Sequence, residues 1–465
     1  MSASAKVTEK NVQFTTENIS KLVLRFSIPV IISLLVAEMY NMVDSLFVGR
    51  VVGAKGIAAL TIAFPVQRLF QAISLLVAIG ASTAVARSSG ENNYSKIKKI
   101  VPNAFIILIS MILSLILGMS IFKDSIIMKL GCSEAIFPYA NTYISIILIG
   151  VLFQGLTFLI SYILTSFGDT KIILLSTSIG AMFNIVLDYI AVVILNYGVG
   201  GAAFATVVSQ IIAFIYALIK FIQIKNRMNL KLTGKLDKSI SKAIVFVGFS
   251  TFVIEISDAV VAVILNKILV QMGGDAAIVA VGLISRISMF LFINIIGISS
   301  AMQPIAAYNY GAEMYNRVKE IVKFSVKLVT ISSVILWGLT MIFTKQLISV
   351  FVNDMDIINY TTGAFRVVVA LLPCIGIYYV TIYYYQARGM AKTSFLLSIF
   401  RQIVVFIPLL YIMVYGFGLG IMGAWIAYPI SDVISLIISI IYIKNDELED
   451  MEQELVKGKR GIVTA

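Results

Sequence analysis

Two acids stand inside long apolar stretches: Asp44 in FSIPVIISLLVAEMYNMVDSLFVG (26–49) and Asp188 in IILLSTSIGAMFNIVLDYIAVVIL (172–195). A third, Glu255, lies in the apolar run after residue 243. A carboxylate at bilayer depth costs roughly 2.5–3.5 kcal/mol on insertion scales. A chain carries that cost where the group faces a protein interior or a wet cavity, so each acid is a candidate ion or proton site. Asn184 precedes Asp188 by one helical turn, which stacks both on one helix face. A hard cation such as Na⁺ wants oxygen ligands, and carboxylates with an amide oxygen supply them. The same acids can hold a proton instead, because two carboxylates close together at low dielectric cannot both ionise freely. The bland alternative is polar glue between helices.

The elements that must position these groups are membrane spans. Of 465 residues, 59% are hydrophobic, against about 45–50% in a soluble domain. Runs long enough to cross about 30 Å of hydrocarbon recur twelve times. They fall near 22–48, 57–86, 100–122, 136–165, 172–195, 202–224, 243–271, 277–307, 321–343, 358–387, 393–415 and 420–443. The chain has no histidine, which removes the usual neutral-pH proton relay and the usual zinc ligand. Two cysteines make no disulfide framework. The polar opening residues MSASAKVTEKNVQFTTENIS lack the pattern of a cleaved signal peptide.

The net charge of +12 reflects topology rather than nucleic-acid binding. Lys and Arg collect in the N-terminal tail, RSSGENNYSKIKK (87–99), KNRMNLKLTGKLDKSISK (225–242), AEMYNRVKE (312–320) and the C-terminal tail. About 26 basic residues belong to that side and about 5 to the other, so both termini are expected in the cytoplasm of a multi-pass cell-membrane protein.

The chain also repeats itself. GENNYSKIKKIV (90–101) matches GAEMYNRVKEIV (311–322), and Gly168 meets Gly389 at the same offset. YGVGGAAFA (197–205) resembles YGFGLGIMGAWIA (415–427) with an insertion. The expected fold is therefore all-α and integral to the membrane, with twelve helices in two six-helix lobes related by a parallel pseudo-two-fold repeat. The expected parts are a tail (1–21), an N-lobe (22–224), a linker (225–242), a C-lobe (243–443) and a second tail (444–465). A six-plus-six parallel repeat with acids at depth reads as an alternating-access transporter.

MYNMVDSLFVGRVVG (39–53), FNIVLDYI (183–190), GGAAFATVVSQ (200–210) and VGLISRISMFLFINIIGISSAMQPIAAYNYGA (281–312) resemble the motifs of the multidrug and toxic compound extrusion (MATE) family, in its MepA-like bacterial branch. The resemblance runs over essentially all twelve spans. It implies two lobes around a central cavity and export of bulky, often cationic, amphipathic compounds in exchange for Na⁺ or H⁺. It also implies a cation site made of Asp44, Asn184, Asp188 and Thr206. At the offset of the repeat, Asn184 and Asp188 fall on Val405 and Leu409, so no such site is expected in the C-terminal half. Some members of the NorM branch use a Glu on the seventh span together with an Asp on the tenth. Here Glu255 and Asp258 stand on the seventh span, but LLPCIGIYYVTIYYYQ (371–386) has no acid. Glu255 then either meets a cationic substrate or pairs with Arg286 or Lys267. Arg286 and Arg401 lie too centrally to snorkel, and Asp432 has no assigned partner.

A multidrug cavity needs apolar, deformable walls and aromatic faces that attract cations. Candidates are Glu38, Tyr40, Asn41, Gln67, Phe70, Phe153, Gln154, Glu255, Asp258, Met289, Tyr378, Tyr379 and Tyr383, against the alternative that such residues merely pack or face lipid. Pro29 can kink the first helix and so move Asp44. The rival transport reading is a lipid-linked precursor flippase or metabolite exporter of related fold. An enzyme is disfavoured: there is no histidine, no HExxH and no GxSxG. No catalytic residue, cofactor or metal site beyond Na⁺ is expected. The expected partners are the bilayer and small-molecule drugs or toxins, without nucleic acid, for a monomer.

Overall fold

Side chains at the ends of the apolar runs set where the helices begin. Asn18 Oδ1 accepts from the backbone N–H groups of Ser20 and Lys21 and opens α1, Ile19–Val51. Asn93 caps α3 through the Lys96 N–H at 3.1 Å, and Asp237 caps α7 through Ser239 and Ile240. These caps satisfy donors that have no partner inside the helix. The structure is a computed structural model that describes residues 13–228, 236–352 and 354–463. Parts of the expected tails and of the 225–242 linker lie outside those residues.

The N-terminal helices are α1, α2 (Ala54–Gly90), α3 (Tyr94–Lys129), α4 (Phe137–Ser166), α5 (Lys171–Asp188, continued by a π-helical turn Tyr189–Ile194) and α6 (Gly198–Arg227). Then come α7 (Lys238–Gly311), α8 (Tyr315–Ile342), the short α9 (Thr344–Ser349), α10 (Met355–Val368) and α11 (Leu372–Arg388). Last are α12 (Ala391–Ile399), the short α13 (Ile407–Tyr411) and α14 (Gly420–Val463). No strand occurs among the described residues.

The expected twelve spans appear as eleven uninterrupted candidates and one broken one. The tenth bends by 46° between Met355–Val368 and Leu372–Arg388. Pro373 explains the break: it has no N–H to donate, and it pushes the residue before it away from helical geometry. The Val369 carbonyl at the break accepts from the Trp337 indole at 2.8 Å. The gap expected between the seventh and eighth spans is helical instead, within Lys238–Gly311. That segment, QMGGDAAI, contains glycines but no proline, and glycine weakens a helix by only about 1 kcal/mol.

Contacts gather the chain into two units. The first comprises Met1–Val260, Ile296–Ser325 and Tyr383–Ser398. Within it, α4 packs on α2, α3 and α6, while α5 packs on α1 and α6. Ile97, Leu108 and Ile112 of α3 and Tyr143, Ile147 and Leu159 of α4 belong to its core. Small residues admit close helix crossings, as in other membrane bundles. A Cβ on Gly80 would strike the Ile244 carbonyl, and one on Gly248 the Leu76 carbonyl. A buried polar cluster joins α7, α11 and α12. Gln303 Nε2 donates to Gln386 Oε1 at 2.8 Å, Gln386 Nε2 donates to Ser250 Oγ at 2.8 Å, and Ser250 meets Ser394 at 3.2 Å. The chain before α1 docks here too. Phe14 stacks on Tyr308 with centroids 4.7 Å apart, and its carbonyl accepts from Asn309 and Arg317.

The second unit comprises Val261–Ile295, Val326–Ile382 and Ile399–Ala465. Its helix between α12 and α14 passes through π-helical turns at Phe400–Phe406 and Ile412–Gly416. Asn294 Nδ2 donates to Ser332 Oγ at 2.9 Å, which fixes α7 to α8 inside this unit.

Candidate cation site

Asp188 is the last α-helical residue of α5, at the point where the helix widens into its π turn. Such turns recur at functional sites because they redirect a side chain and loosen the backbone ladder. Asn184 and Asp188 both point into the first unit, with residue exposures of 2% and 0%. Asp44 from α1 and Thr206 from α6 are also buried, at 7% and 5%. Asn184 Nδ2 donates to Thr206 Oγ1 at 3.3 Å, and Thr206 donates onward to the Ala202 carbonyl at 3.0 Å. Asp44 and Asp188 lie within electrostatic reach of each other. All four candidate ligands thus come from the first unit.

Two further residues complete the surroundings. Tyr143 of α4, buried at 2%, brings its hydroxyl beside the Asp44 carboxyl. Gln67 Nε2 of α2 donates to that hydroxyl at 3.4 Å. Gln67, a substrate-cavity candidate, is half-buried and reaches Asp44 only by way of the Tyr143 hydroxyl. Tyr143 was not singled out from the sequence. It stands near the start of its helix, where tyrosines commonly form an interfacial belt. Periodicity along α4 does put it on the same face as Ile147 and Gly150, which was the available signal.

The oxygens left over decide what the site can do. Asp44 Oδ1, Asn184 Oδ1 and both Asp188 carboxylate oxygens are buried without a hydrogen-bond partner among the described residues. An ionised carboxylate so placed would be strongly unfavourable. Hydroxyl or amide glue would satisfy these atoms; here they are not satisfied. A bare monovalent cation or a proton fits the donor set, since every leftover atom is an oxygen acceptor. The cluster supplies hard ligands only.

The substrate-cavity candidates are more dispersed. Glu255 pairs with Arg68 of α2, at 3.6 Å, rather than with Arg286 or Lys267. Arg286 and Lys267 are exposed, on a different part of the helix. Arg68 also lies over the Phe64 ring at 4.9 Å. Asp258 and Asn41 are exposed, while Glu38, Tyr40, Phe153, Gln154 and Met289 are half-buried. Phe153 packs on Phe214 with centroids 5.5 Å apart. Phe70, Tyr378, Tyr379 and Tyr383 are buried. Asp432 has a partner that sequence reading did not assign: Arg401, at 3.2 Å.

The family model described as MatE matches residues 29–190 and 248–412, well over half of the chain. The multidrug export protein MepA of Staphylococcus saprophyticus is 27% identical over 452 residues, covering 96% of this chain and 98% of its own length. MepA of Staphylococcus aureus is 25% identical over 449 residues, with the same coverage. A ligand-bound structure of the MATE multidrug transporter DinF-BH superposes with a TM-score of 0.86. It is 31% identical and covers 93% of this chain and 96% of the other. A crystal structure of MATE in complex with MaD3S, 24% identical, gives a TM-score of 0.88 over 95% of this chain and 99% of that one, and supports the fold.

Proposed function

This chain belongs to the multidrug and toxic compound extrusion (MATE) family, a family of multi-pass membrane transporters rather than enzymes, and from that premise we propose that it exports amphipathic, often cationic compounds by antiport with Na⁺ or H⁺. The observation that carries the antiport reading is the set of four buried acceptor oxygens on Asp44, Asn184 and Asp188. A bound cation supplies the positive charge that these oxygens lack. Asp188 and Asp44 hold it, Asn184 orients its amide oxygen by giving its N–H to Thr206, and Tyr143 steadies Asp44.

Loading and unloading change the charge at the end of α1 and at the α-to-π junction of α5. Pro29 interrupts the hydrogen-bond ladder of α1, so this helix bends there at least cost when Asp44 changes its charge. One elementary charge moving inward releases about 2.3 kcal/mol per 100 mV, enough for roughly a fortyfold substrate gradient. If a monocationic drug leaves for each ion entering, the electrical contribution cancels and the ion gradient alone drives export.

In this reading the chain works as a monomer in the cell membrane, with both termini cytoplasmic and two six-span halves, 22–224 and 243–443. The flippase alternative wants unpaired cationic groups for a pyrophosphate. Of Arg286 and Arg401, the two arginines that would serve it, Arg401 is paired with Asp432, which weakens it, while Arg286 is exposed. The experiment is ethidium export from loaded vesicles under an imposed Na⁺ or H⁺ gradient, each alone. One of the two should drive export in the native chain, and Asp188→Asn should abolish the response to it. Undiminished gradient-driven export by Asp188→Asn would sink the antiport reading.

A further inference from the structure

The repeat lets the two halves be compared at the cation site. Tyr197 and Tyr415 open matching YGxG stretches, and counting back from them aligns NIV (184–186) with QIV (402–404). Asn184 then corresponds to Gln402, and Asp188 to Phe406. Counting forward from the aligned pair Gly201 and Gly423, Thr206 corresponds to Tyr428. In the C-terminal half, Phe406 and Tyr428 bring their rings to 4.4 Å between centroids. An aromatic pair fills the place where the N-terminal half gathers Asp188 and Thr206.

That helix pair nonetheless buries a carboxylate. Asp432 lies one helical turn beyond Tyr428, and Arg401 immediately precedes Gln402. Arg401 Nε and Nη2 donate to Asp432 Oδ1 at 3.3 and 3.2 Å. Their side chains are only 7% and 2% exposed. The surroundings hold the guanidinium in place. It lies over the Phe292 ring at 5.8 Å, the Arg401 N–H donates to the Tyr378 hydroxyl at 3.3 Å, and Ser431 Oγ donates to the Arg401 carbonyl at 3.2 Å. The π-helical turn Phe400–Phe406 carries both Arg401 and Gln402. The N-terminal carboxylates thus keep acceptor oxygens open, whereas the C-terminal one meets a cation joined covalently to the chain. A guanidinium does not deprotonate in proteins, so that charge cannot leave.

We infer that Arg401 is a tethered cation, doing permanently for Asp432 what an exchangeable cation does for Asp44 and Asp188. If the antiport reading above holds, the export cycle then draws its coupling ion through the N-terminal half alone. Arg401 is a positioning residue in this scheme: it keeps the C-terminal half in the cation-loaded arrangement throughout the cycle.

Removing the tether should turn Asp432 into a second cation site. The test uses the purified full-length chain and three variants: Arg401→Ala, Arg401→Lys and Arg401→Ala with Asp432→Ala. Thermal unfolding is followed against added methylguanidinium and, separately, Na⁺. Arg401→Ala should melt lower than the native chain and be restored, saturably, by millimolar methylguanidinium. Arg401→Lys, which keeps a tethered charge, and the double variant should show no such rescue. In vesicles, export by Arg401→Ala should require a second cation, its dependence on the driving ion steepening from a Hill slope near one toward two. An Arg401→Ala chain that ignores methylguanidinium, or a double variant rescued equally well, overturns the inference. Should Arg401→Ala fail to fold while the double variant folds, folding of Arg401→Ala with methylguanidinium present supports it, and continued failure overturns it. A native chain that ignores both ion gradients would strike the antiport reading alone, and the melting series would still decide the role of Arg401.

Discussion

Gly90 and Gly311 each press against the backbone beside the other. A Cβ on Gly90 would collide with the carbonyl oxygen of Tyr308, and one on Gly311 with the carbonyl oxygen of Arg87. The four residues form two pairs at the offset of the repeat, Gly90 with Gly311 and Arg87 with Tyr308. The crossing of α2 and α7 is therefore reciprocal, as expected where a pseudo-two-fold axis passes between two equivalent helices. Arg87 Nη1 adds a bond to the Arg388 carbonyl at 3.2 Å, which ties α2 to α11 beside it.

Backbone cannot move aside as a flexible side chain can, so a methyl group at either glycine must push the helices apart. Gly311→Ala is expected to destabilise by about 1–3 kcal/mol, the usual range for overpacking. Gly90→Ala should cost the same, because the crossing is symmetric. Thermal unfolding of the two single variants would check the equality. A large effect at one glycine and none at the other would show that the crossing is not reciprocal in solution.

Phe14 yields a second prediction. It is 1% exposed, stacked on Tyr308 and edge-on to Phe26 at 5.4 Å. Truncating a buried Phe costs about 3–5 kcal/mol where the surroundings stay in place. Here the chain ahead of α1 can let go instead, which caps the loss below that range. Phe14→Ala should therefore leave the spans intact and speed amide exchange at residues 13–20, read by hydrogen exchange with mass spectrometry. Unchanged protection there would mean that the Arg317 and Asn309 bonds to the Phe14 carbonyl suffice to hold the segment.

How much of this was legible in the sequence depended on whether the signal was local. Span number and order followed from apolar runs, and Asn184 with Asp188 followed from their spacing of one turn on one helix. Thr206 needed family resemblance, since a lone Thr in a helix carries no signal of its own. The partners of the charged groups were not legible. Glu255 meets Arg68 from a helix far back in the chain, and Asp432 meets Arg401 across two helices; helix rotation decides such pairs, and local spacing does not reveal it. The break at Leu372 was signalled by Pro373 but hidden by the strongly apolar stretch around it. A single fixed offset likewise missed that the spacing of the repeat shortens before Tyr415. That is why Val405 and Leu409, rather than Gln402 and Phe406, stood opposite the site.

The Arg68–Glu255 pair carries a prediction about selectivity. Both side chains are about three-quarters buried, at 25% and 22% exposure, on two membrane-spanning helices. Under the export reading proposed above, the pair occupies an acid that a cationic substrate would otherwise meet. Arg68→Ala should uncover Glu255 and lower the KM for a cationic dye severalfold, while leaving a neutral substrate unchanged. Glu255→Gln should raise the KM for the cationic dye alone. Parallel changes for both substrates would show that the pair acts on the fold rather than on recognition.

Tyr143 offers the finest probe of the cation site, because a single oxygen can be removed without changing shape. Its hydroxyl lies beside Asp44 and accepts from Gln67 Nε2, so Tyr143→Phe removes the polar group that faces Asp44 and leaves the ring in the core. A hydrogen bond to a charged group contributes about 1.5–3 kcal/mol. Without that hydroxyl Asp44 is less steadied in its ionised form, the form that would hold the cation of the proposed antiport. Where Na⁺ is the driving ion, its half-saturating concentration for export should therefore rise by about one order of magnitude, at about 1.4 kcal/mol per tenfold. The maximal rate at saturating ion should change little, since Asp188, Asn184 and Thr206 are untouched. Gln67→Ala should produce a smaller shift in the same direction, because it acts on Asp44 only through Tyr143. Initial rates of dye export across a Na⁺ series check both. A fall in maximal rate at unchanged half-saturation would place Tyr143 on the helix movement instead of on the ion.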